Sequence, residues 1–250
     1  MKETLQTAPK DGEVVPRDEW PIYLEGIRAV QAAGVPFAIG GGVAFGAYAY
    51  RSRYTKDIDL FIRPADRDTA IAAIQAAGYD DYFDIKPYER HWIFRGHRDG
   101  MILDLIWKMA NHRADVDDAW TTRGPMKSLY GVEVRLLPVE ELIWGKLYVV
   151  QRERCDWTDI WNVLVRSAAD IDWDHLLRRL GDDTPLLASA LGVYRWFAPV
   201  HAADIPEHVW ARLGLATSIA VAATGNRVAL LDSRDWFGVP AGRDTAQQER

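Results

Sequence analysis

The chain has 250 residues and a mass of 28.3 kDa, enough for one large domain or two smaller ones with an apolar core. Hydrophobic residues make up 48% and charged residues 26%, and this balance excludes a wholly disordered protein. Thirty Lys and Arg face thirty-six Asp and Glu, a formal net charge of −6. A basic coat for nucleic acid over the whole surface is therefore excluded, while a local basic groove is not.

Cysteine usage and apolar patterning predict a cytoplasmic protein. Cys155 is the single cysteine of the sequence, so an internal disulfide or a cysteine-ligated zinc site is not expected. Residues 1–16 contain no apolar stretch of the signal-peptide type. The uncharged run Ala29–Tyr50 is interrupted by Gln31, Pro36 and five glycines, so we expect no membrane span and no membrane partner.

The first predicted elements alternate between helix and strand. Helical spacing over Glu19–Ala33 is followed by a short apolar strand, Val35–Ile39. Three glycines then lead into a helix of small residues, Val43–Tyr50. Asp57–Ile62 alternates strictly between acidic or aromatic and aliphatic residues, as expected for a strand with one buried face.

The remaining elements divide the chain near Leu137. A helix begins near Pro64 and ends at Gly78, and three strands are predicted after it: Arg90–Arg95, Met101–Trp107 and Val132–Leu136. From Pro138 the pattern is helical, beginning with Val139–Glu153. We therefore predict an α/β domain over residues 1–137 with a small mixed sheet and helices on one face. A mostly helical domain over 138–240 and a disordered tail over 241–250 follow it.

Two carboxylates on the fourth predicted element, the strand Asp57–Ile62, suggest a cation site. Asp57 and Asp59 share one face of the strand, and they repel each other unless a cation lies between them. Hard oxygen ligands in this arrangement suit Mg²⁺, which binds through one or two carboxylates and the phosphates of a substrate. The alternative is a solvated acidic face with no ligand.

A glycine turn precedes the carboxylates. Gly41 and Gly42 stand at the start of a predicted helix, where bare backbone N–H groups and the helix dipole favour a phosphate. Taken alone, such a turn is an ordinary strand-to-helix connection. The turn and the Asp57-x-Asp59 pair together, close in sequence, predict a metal–triphosphate site.

A third carboxylate lies in an apolar strand. Asp104 is surrounded by Leu103, Leu105 and other apolar residues, and a lone buried carboxylate costs several kcal/mol. It must therefore lie at the open end of the sheet or be paired with a cation. A third acidic ligand would complete the set that two-metal phosphoryl chemistry requires.

Gly41, Gly42, Asp57, Asp59 and Asp104 together resemble the pattern of the nucleotidyltransferase superfamily with the DNA polymerase β-like fold. The stretch RYTKDIDLFI is similar to the bacterial branch that includes AbiEii-type toxins and antibiotic nucleotidyltransferases. The resemblance covers about residues 35–107 and continues more weakly through the segment after Pro138. It implies two Mg²⁺ ions, or Mn²⁺ in their place, held by the three aspartates.

The same resemblance implies roles for two residues of the helical segment. Lys146 and Asp159 match a functional Lys and a following Asp of AbiEii-like members. Lys146 also lies in the middle of an apolar helical stripe, so its alternative is a lysine that packs its stem on the core and extends its ammonium to water. On either interpretation we expect Lys146→Met to preserve stability. Asp159 is the weaker candidate, because an acidic residue near Asp156 in a first turn stabilises any helix.

Three basic residues lie between the glycine turn and the aspartates. Arg51, Arg53 and Lys56 are candidates for contact with the triphosphate or with a polyanionic acceptor, with a solvated loop as the alternative. The six histidines show no metal-type spacing, and Trp157 and Trp161 are expected in the core of the helical domain.

We therefore hypothesise that the protein is a Mg²⁺-dependent nucleotidyltransferase that uses ATP or another NTP. Its active site is expected in a cleft between the two predicted domains. The enzyme moves a nucleoside monophosphate to a hydroxyl of RNA or tRNA, a protein or a small molecule. A toxin with an antitoxin partner is one form of this function. The alternative is a catalytically silent module of the same fold that senses nucleotides or binds proteins.

Overall fold

A five-stranded mixed sheet organises the first part of the computed structural model, which describes residues 14–49, 54–152, 154–217 and Arg227. The strands stand in the order β1-β2-β5-β4-β3. Their bounds are Phe37–Ile39 (β1), Asp57–Ile62 (β2), Asp80–Asp81 (β3), Ile93–Arg98 (β4) and Met101–Ile106 (β5). The β2 and β5 strands are parallel, and the other pairs are antiparallel. The predicted α/β fold with a small mixed sheet is confirmed.

Helices cover the aliphatic face of this sheet. The first three helices are α1 (Trp20–Ala32), α2 (Gly41–Tyr48) and α3 (Arg67–Ala76), and of these α1 and α3 pack on this face. On β2 the residues Ile58, Leu60 and Ile62 are fully buried, whereas the alternate positions are half-buried. The buried set packs with α1 and α3 in one core, which includes Ile27, Val30, Ala70, Ile74, Leu103 and Leu105. The acidic positions of β2 therefore lie on the face opposite these two helices.

Two tight turns fix elements that the sequence pattern misplaced or missed. The strand predicted at Arg90–Arg95 is Ile93–Arg98, because Asp99 and Gly100 form a two-residue turn with positive φ angles of 50° and 83°. Asn-Gly and Asp-Gly turns of this kind set the register of a hairpin. A second turn at Tyr130 and Gly131 joins β6 (Met126–Leu129) to β7 (Val132–Arg135). Neither β6 nor the short helix α4 (Asp118–Thr122) was predicted.

Two compact units divide the described chain. The first unit comprises residues 14–47 and 54–142, and the second comprises 48–49 and 143–217. The helices that follow α4 are α5 (Val139–Leu147), α6 (Trp157–Ser167), α7 (Trp173–Leu180), α8 (Thr184–Phe197), α9 (Pro199–Ala202) and α10 (Glu207–Arg212). The predicted boundary after Leu137 stays a prediction, and the predicted tail over 241–250 lies outside the described residues.

The second unit has a tryptophan-rich core. Trp161 is 6% exposed, donates its indole N–H to the Ala190 carbonyl at 3.0 Å and meets Phe197 edge-on. Trp157 is half-buried and donates to the Leu147 carbonyl at 3.1 Å. Both residues therefore serve the helical core, as the sequence predicted.

Helix α5 ends six residues before the predicted end at Glu153. The Leu147 carbonyl accepts from the Trp157 indole, and Val150 pairs with Cys155 in an isolated antiparallel bridge. The main chain therefore turns back toward α6 instead of continuing the helix. In the part of the chain that the structure describes, no helix combines the length and apolarity that crossing a membrane requires.

Candidate active site

Three carboxylates lie on one face of the central sheet. Asp59 pairs in register with Asp104 on the parallel strand β5, so the two side chains stand side by side. Asp57 is two residues earlier on β2 and shares that face. Asp57 and Asp59 are half-buried, whereas Asp104 is 1% exposed. We call these three residues the carboxylate row.

The buried member of the row is paired with a cation. Arg95 on β4 stands in register with Asp104 and holds it through two hydrogen bonds. Nε donates to Oδ1 at 2.9 Å, and a terminal nitrogen donates to Oδ2 at 2.6 Å. This bidentate geometry is the strong form of an arginine–carboxylate pair. Of the two possibilities that the sequence left for Asp104, the structure shows the ion pair.

Burial acts on the two partners unequally. The pKa of Asp104 is raised, because burial disfavours its charged form more than Arg95 favours it, and Asp57 adds to the rise. The pKa of Arg95 is also raised, first by its hydrogen bond to Asp104 and further by the charges of Asp57 and Asp59. The Arg95 side chain is 32% exposed, so desolvation falls mainly on the carboxylate. Asp104 is thus a more basic carboxylate than an ordinary aspartate.

The glycine turn packs directly against the row. Gly40 donates its N–H to the Asp59 carbonyl at 2.9 Å, which places the turn beside β2. Gly41 begins α2 with a φ of +51°, and a Cβ at this position would lie 1.7 Å from Asp59 Oδ2. A side chain at position 41 is therefore excluded by both backbone conformation and space. The turn brings the start of α2 to the Asp59 carboxylate.

Thr55 connects the turn to the first carboxylate. Its hydroxyl donates to Asp57 Oδ1 at 2.8 Å. A Cβ added at Gly42 would lie 2.9 Å from the Thr55 Cβ and 3.0 Å from its hydroxyl oxygen. The second glycine of the turn therefore accommodates the threonine side chain.

Lys146 lies in the second unit in an ion-pair cluster. Its ammonium donates to Asp156 Oδ2 at 2.9 Å and to Asp159 Oδ2 at 2.6 Å. Arg154 also binds Asp156 through two hydrogen bonds of 2.7 and 2.8 Å. Lys146 is 9% exposed, so its ammonium is not extended into water as the snorkelling interpretation required. We call these four residues the lysine cluster.

The lysine cluster lowers the pKa of one of its carboxylates. Burial raises the pKa of Asp156, but Arg154 and Lys146 oppose it and the result is a pKa of about 2. Asp156 stands at the N-cap of α6 but makes no side-chain cap hydrogen bond. Its carboxylate stabilises the cations of the cluster instead of the helix terminus.

Of the three basic residues predicted near the glycine turn, the structure describes one, Lys56. Lys56 is exposed and comes directly before β2, and the Tyr23 hydroxyl donates to its carbonyl at 3.2 Å. Arg51 and Arg53 lie outside the described residues. Among the described residues, no three His, Cys, Asp or Glu side chains are placed so that together they could hold a metal ion. This result covers the carboxylate row as well as the six histidines.

Two residues that bind members of the row, Arg95 and Thr55, were not predicted as site residues. The apolar neighbours of Asp104 required either a cation or an open sheet end, and a charged residue within the adjacent predicted strand was the available signal for Arg95. Thr55 had no signal beyond its position two residues before Asp57.

Comparison with known proteins assigns the chain to a family by its sequence. A family model described as "Uncharacterised nucleotidyltransferase" matches residues 27–197. No curated protein sequence matches the chain.

Several solved structures are similar at low sequence identity. The antibiotic-resistance factor ANT(2'')-Ia in solution is 19% identical with a TM-score of 0.47, over 71% of this chain and 97% of that one. An antigenic nucleotidyltransferase-like protein from Paracoccidioides brasiliensis is 16% identical with a TM-score of 0.45, over 79% and 99%. The lincosamide antibiotic adenylyltransferase LnuA, bound to lincomycin, is 14% identical with a TM-score of 0.42, over 60% and 98%. At these values the matches assign no substrate to this chain.

Proposed function

Because the chain belongs to the family of uncharacterised nucleotidyltransferases, we propose that it transfers a nucleoside monophosphate from a nucleoside triphosphate to an acceptor hydroxyl. Pyrophosphate is the leaving group. The observation that carries the proposal is the carboxylate row beside a glycine turn that begins a helix. Such catalysis depends on positioning and electrostatics, so it needs no covalent nucleophile.

The donor set of the row fits Mg²⁺. Asp57 and Asp59 are adjacent, half-buried oxygen ligands, and Mg²⁺ prefers one or two carboxylates completed by substrate phosphates over an all-protein cage. Asp57 and Asp59 would hold the ion or ions, with Asp104 as the third ligand and Mn²⁺ as a substitute. When bound, the metal supplies charge neutralisation at the phosphates and activates an oxygen nucleophile.

The glycine turn is proposed to bind the triphosphate. The start of the eight-residue helix α2 offers backbone N–H groups at Gly41 and Gly42, where the helix dipole favours an anion. Lys146, by its resemblance to AbiEii-like members, is proposed to neutralise phosphate charge, with Asp159 as the weaker candidate. For Lys146 this role requires an exchange of its bonds to Asp156 and Asp159 for phosphate oxygens.

Asp104 is the proposed base. A carboxylate whose pKa is raised by burial accepts a proton more readily than an ordinary aspartate. We propose that it accepts the proton of the attacking hydroxyl. Arg95 fixes the orientation of the Asp104 carboxylate, because both carboxylate oxygens accept hydrogen bonds from its guanidinium.

Transfer is tested with the full-length protein, Mg²⁺ and each of the four α-³²P-labelled NTPs. Acceptor fractions of RNA, protein and small molecules from a cell extract are assayed separately, so the labelled product identifies nucleotide and acceptor class together. Asp59→Asn is the inactive variant. Asp68→Asn is the matched control, because that side chain is 83% exposed on α3, across the sheet. Equal labelling by wild type and Asp59→Asn would overturn the proposed site, and no labelling in any fraction would favour the silent module.

A toxin-type role with an antitoxin partner is one form of this activity. It predicts that expression of the chain arrests bacterial growth and that Asp57→Ala relieves the arrest. Normal bacterial growth during expression of an active wild-type protein would contradict the toxin role but not the transferase activity.

A further inference from the structure

Thr55 is held at a position where two parts of the candidate site meet. Its N–H donates to the Val14 carbonyl at 2.8 Å, so the segment before β2 is fixed to the buried residue Val14. Its side chain fills the space beside Gly42, and its hydroxyl donates to Asp57 Oδ1. One residue therefore contacts both the glycine turn and the first carboxylate of the row.

The hydroxyl selects one orientation of the Asp57 carboxylate. Asp57 is half-buried at the start of β2, and a carboxylate without a fixed donor can rotate between rotamers. The 2.8 Å hydrogen bond engages Oδ1 and so distinguishes the two oxygens. Donors that bind a carboxylate ligand in this way orient it and set metal affinity, and their loss typically reduces affinity about 10- to 100-fold.

We propose that Thr55 is a positioning residue of the metal–triphosphate site. It fixes the orientation of the Asp57 carboxylate relative to the glycine turn. The inference rests on the proposed function, because it assigns Asp57 to a divalent cation. The side chain acts through Asp57 and the turn and takes no part in the chemistry. The hydroxyl orients Asp57, and the side chain as a whole lies against Gly42: a Cβ there would be 2.9 Å from the Thr55 Cβ, 3.0 Å from its hydroxyl oxygen and 3.6 Å from its methyl group.

Two substitutions separate these tasks. Thr55→Val keeps the shape of the side chain and removes the hydroxyl, whereas Thr55→Ser keeps the hydroxyl and removes the methyl group. We expect Thr55→Val to weaken Mn²⁺ binding about 10- to 100-fold, measured by EPR titration of the metal alone into the full-length protein. Thr55→Ser is expected to bind Mn²⁺ like the wild type. Thr69→Val on α3, an exposed position, is the control for the same chemical change away from the site.

Metal-free stability provides the second readout. Since valine fills the space beside Gly42, the metal-free melting temperature of Thr55→Val should stay close to that of Thr69→Val. The Mg²⁺ concentration for half-maximal transfer should rise in Thr55→Val by the same factor as the Mn²⁺ dissociation constant. A purely structural threonine would lower the melting temperature and leave metal affinity unchanged.

Asp57→Asn distinguishes failure of this inference from failure of the proposed function. If Asp57→Asn weakens Mn²⁺ binding and Thr55→Val does not, Thr55 is not a positioning residue, but the metal site stands. If Asp57→Asn binds Mn²⁺ like the wild type, the metal assignment itself is wrong. Equal losses in Thr55→Val and Thr55→Ser would also overturn the inference, because they would assign the effect to packing at Gly42.

Discussion

The carboxylate row and the lysine cluster are both built from ionised side chains, but they differ in the balance of negative and positive charge. The row combines three aspartates with Arg95, which binds Asp104. The lysine cluster combines two aspartates with Lys146 and Arg154, and Asp156 is bonded to both cations. Among these named residues, the row is dominated by negative charge and the cluster is neutral.

This difference in charge predicts that an added cation stabilises the row more than it stabilises the lysine cluster. Carboxylates on adjacent strands repel one another, so the row favours an added cation and lowers stability without one. The lysine cluster supplies its own counter-ions at hydrogen-bond distance, and the lowered pKa of Asp156 shows a net stabilisation of its charged form. Variants of each region should therefore respond differently to metal, nucleotide and pH.

Arg95→Met should have the largest effect on stability. The substitution leaves the buried Asp104 carboxylate without its guanidinium, and removal of one partner of a buried ion pair costs about 3–5 kcal/mol. Urea denaturation of the metal-free protein measures the loss. Arg95→Lys should restore only part of it, because an ammonium lacks the bidentate fork.

Arg95→Met/Asp104→Asn is the matched control for that loss. If the charge of Asp104 causes it, the double variant regains most of the stability of the wild type. Equal stability of the single and double variants would show that Arg95 contributes by packing alone.

Asp59→Asn should separate activity from stability within the row. Loss of one charged ligand is expected to reduce transfer about 100- to 1,000-fold, comparable to the loss of one group that stabilises transition-state charge. The metal-free protein should be as stable as the wild type or more stable, because a repulsion is removed. Single-turnover transfer and thermal melting test both parts, and a clear loss of metal-free stability would mark Asp59 as structural.

Gly41→Ala tests the close approach of the turn to the row. Gly100 also has a positive φ, but a Cβ there meets nothing within 4 Å, so Gly100→Ala reports backbone strain of about 1–2 kcal/mol alone. Gly41→Ala also displaces Asp59, and the overlap should add about 1–3 kcal/mol to the loss of unfolding free energy. Equal losses in the two variants would show that Asp59 moves aside at no cost.

Asp156→Asn should give the smallest effect, with a characteristic pH dependence. The folded-state pKa of about 2 lies below the unfolded value of 3.8, so the charged form contributes stability above pH 3.8. By linkage this contribution is about 2 kcal/mol at neutral pH and is lost as the pH falls from about 4 to 2. Urea denaturation of wild type and variant at pH 7 and near pH 2.5 measures it, and a pH-independent difference would contradict the ion-pair origin.

Short-range patterns in the sequence predicted part of the candidate site. The alternation of Asp57–Ile62 defined the strand and the shared face of Asp57 and Asp59, because strand side chains alternate with a period of two. Gly41 and Gly42 marked the start of a helix because glycine is a common turn residue. The requirement for a partner of Asp104 followed from the cost of burying a charge.

The identity of the partners depended on tertiary structure. Arg95 reaches Asp104 because the Asp99–Gly100 turn sets the register of β4 on β5, and the sequence placed that strand three residues too early. Lys146→Met was expected to preserve stability, but the two carboxylates bonded to Lys146 predict a loss.

The sequence by itself thus determined which side chains carry charge and which face of each element they occupy, since both follow from residue type and local periodicity. Tertiary structure decided which charges meet. Thr55 lies beside Gly42, Arg95 meets Asp104 on the neighbouring strand, and Lys146 meets Asp156 after a helix that ends early. These contacts depend on strand register, turn conformation and helix length, to which distant parts of the chain contribute through packing.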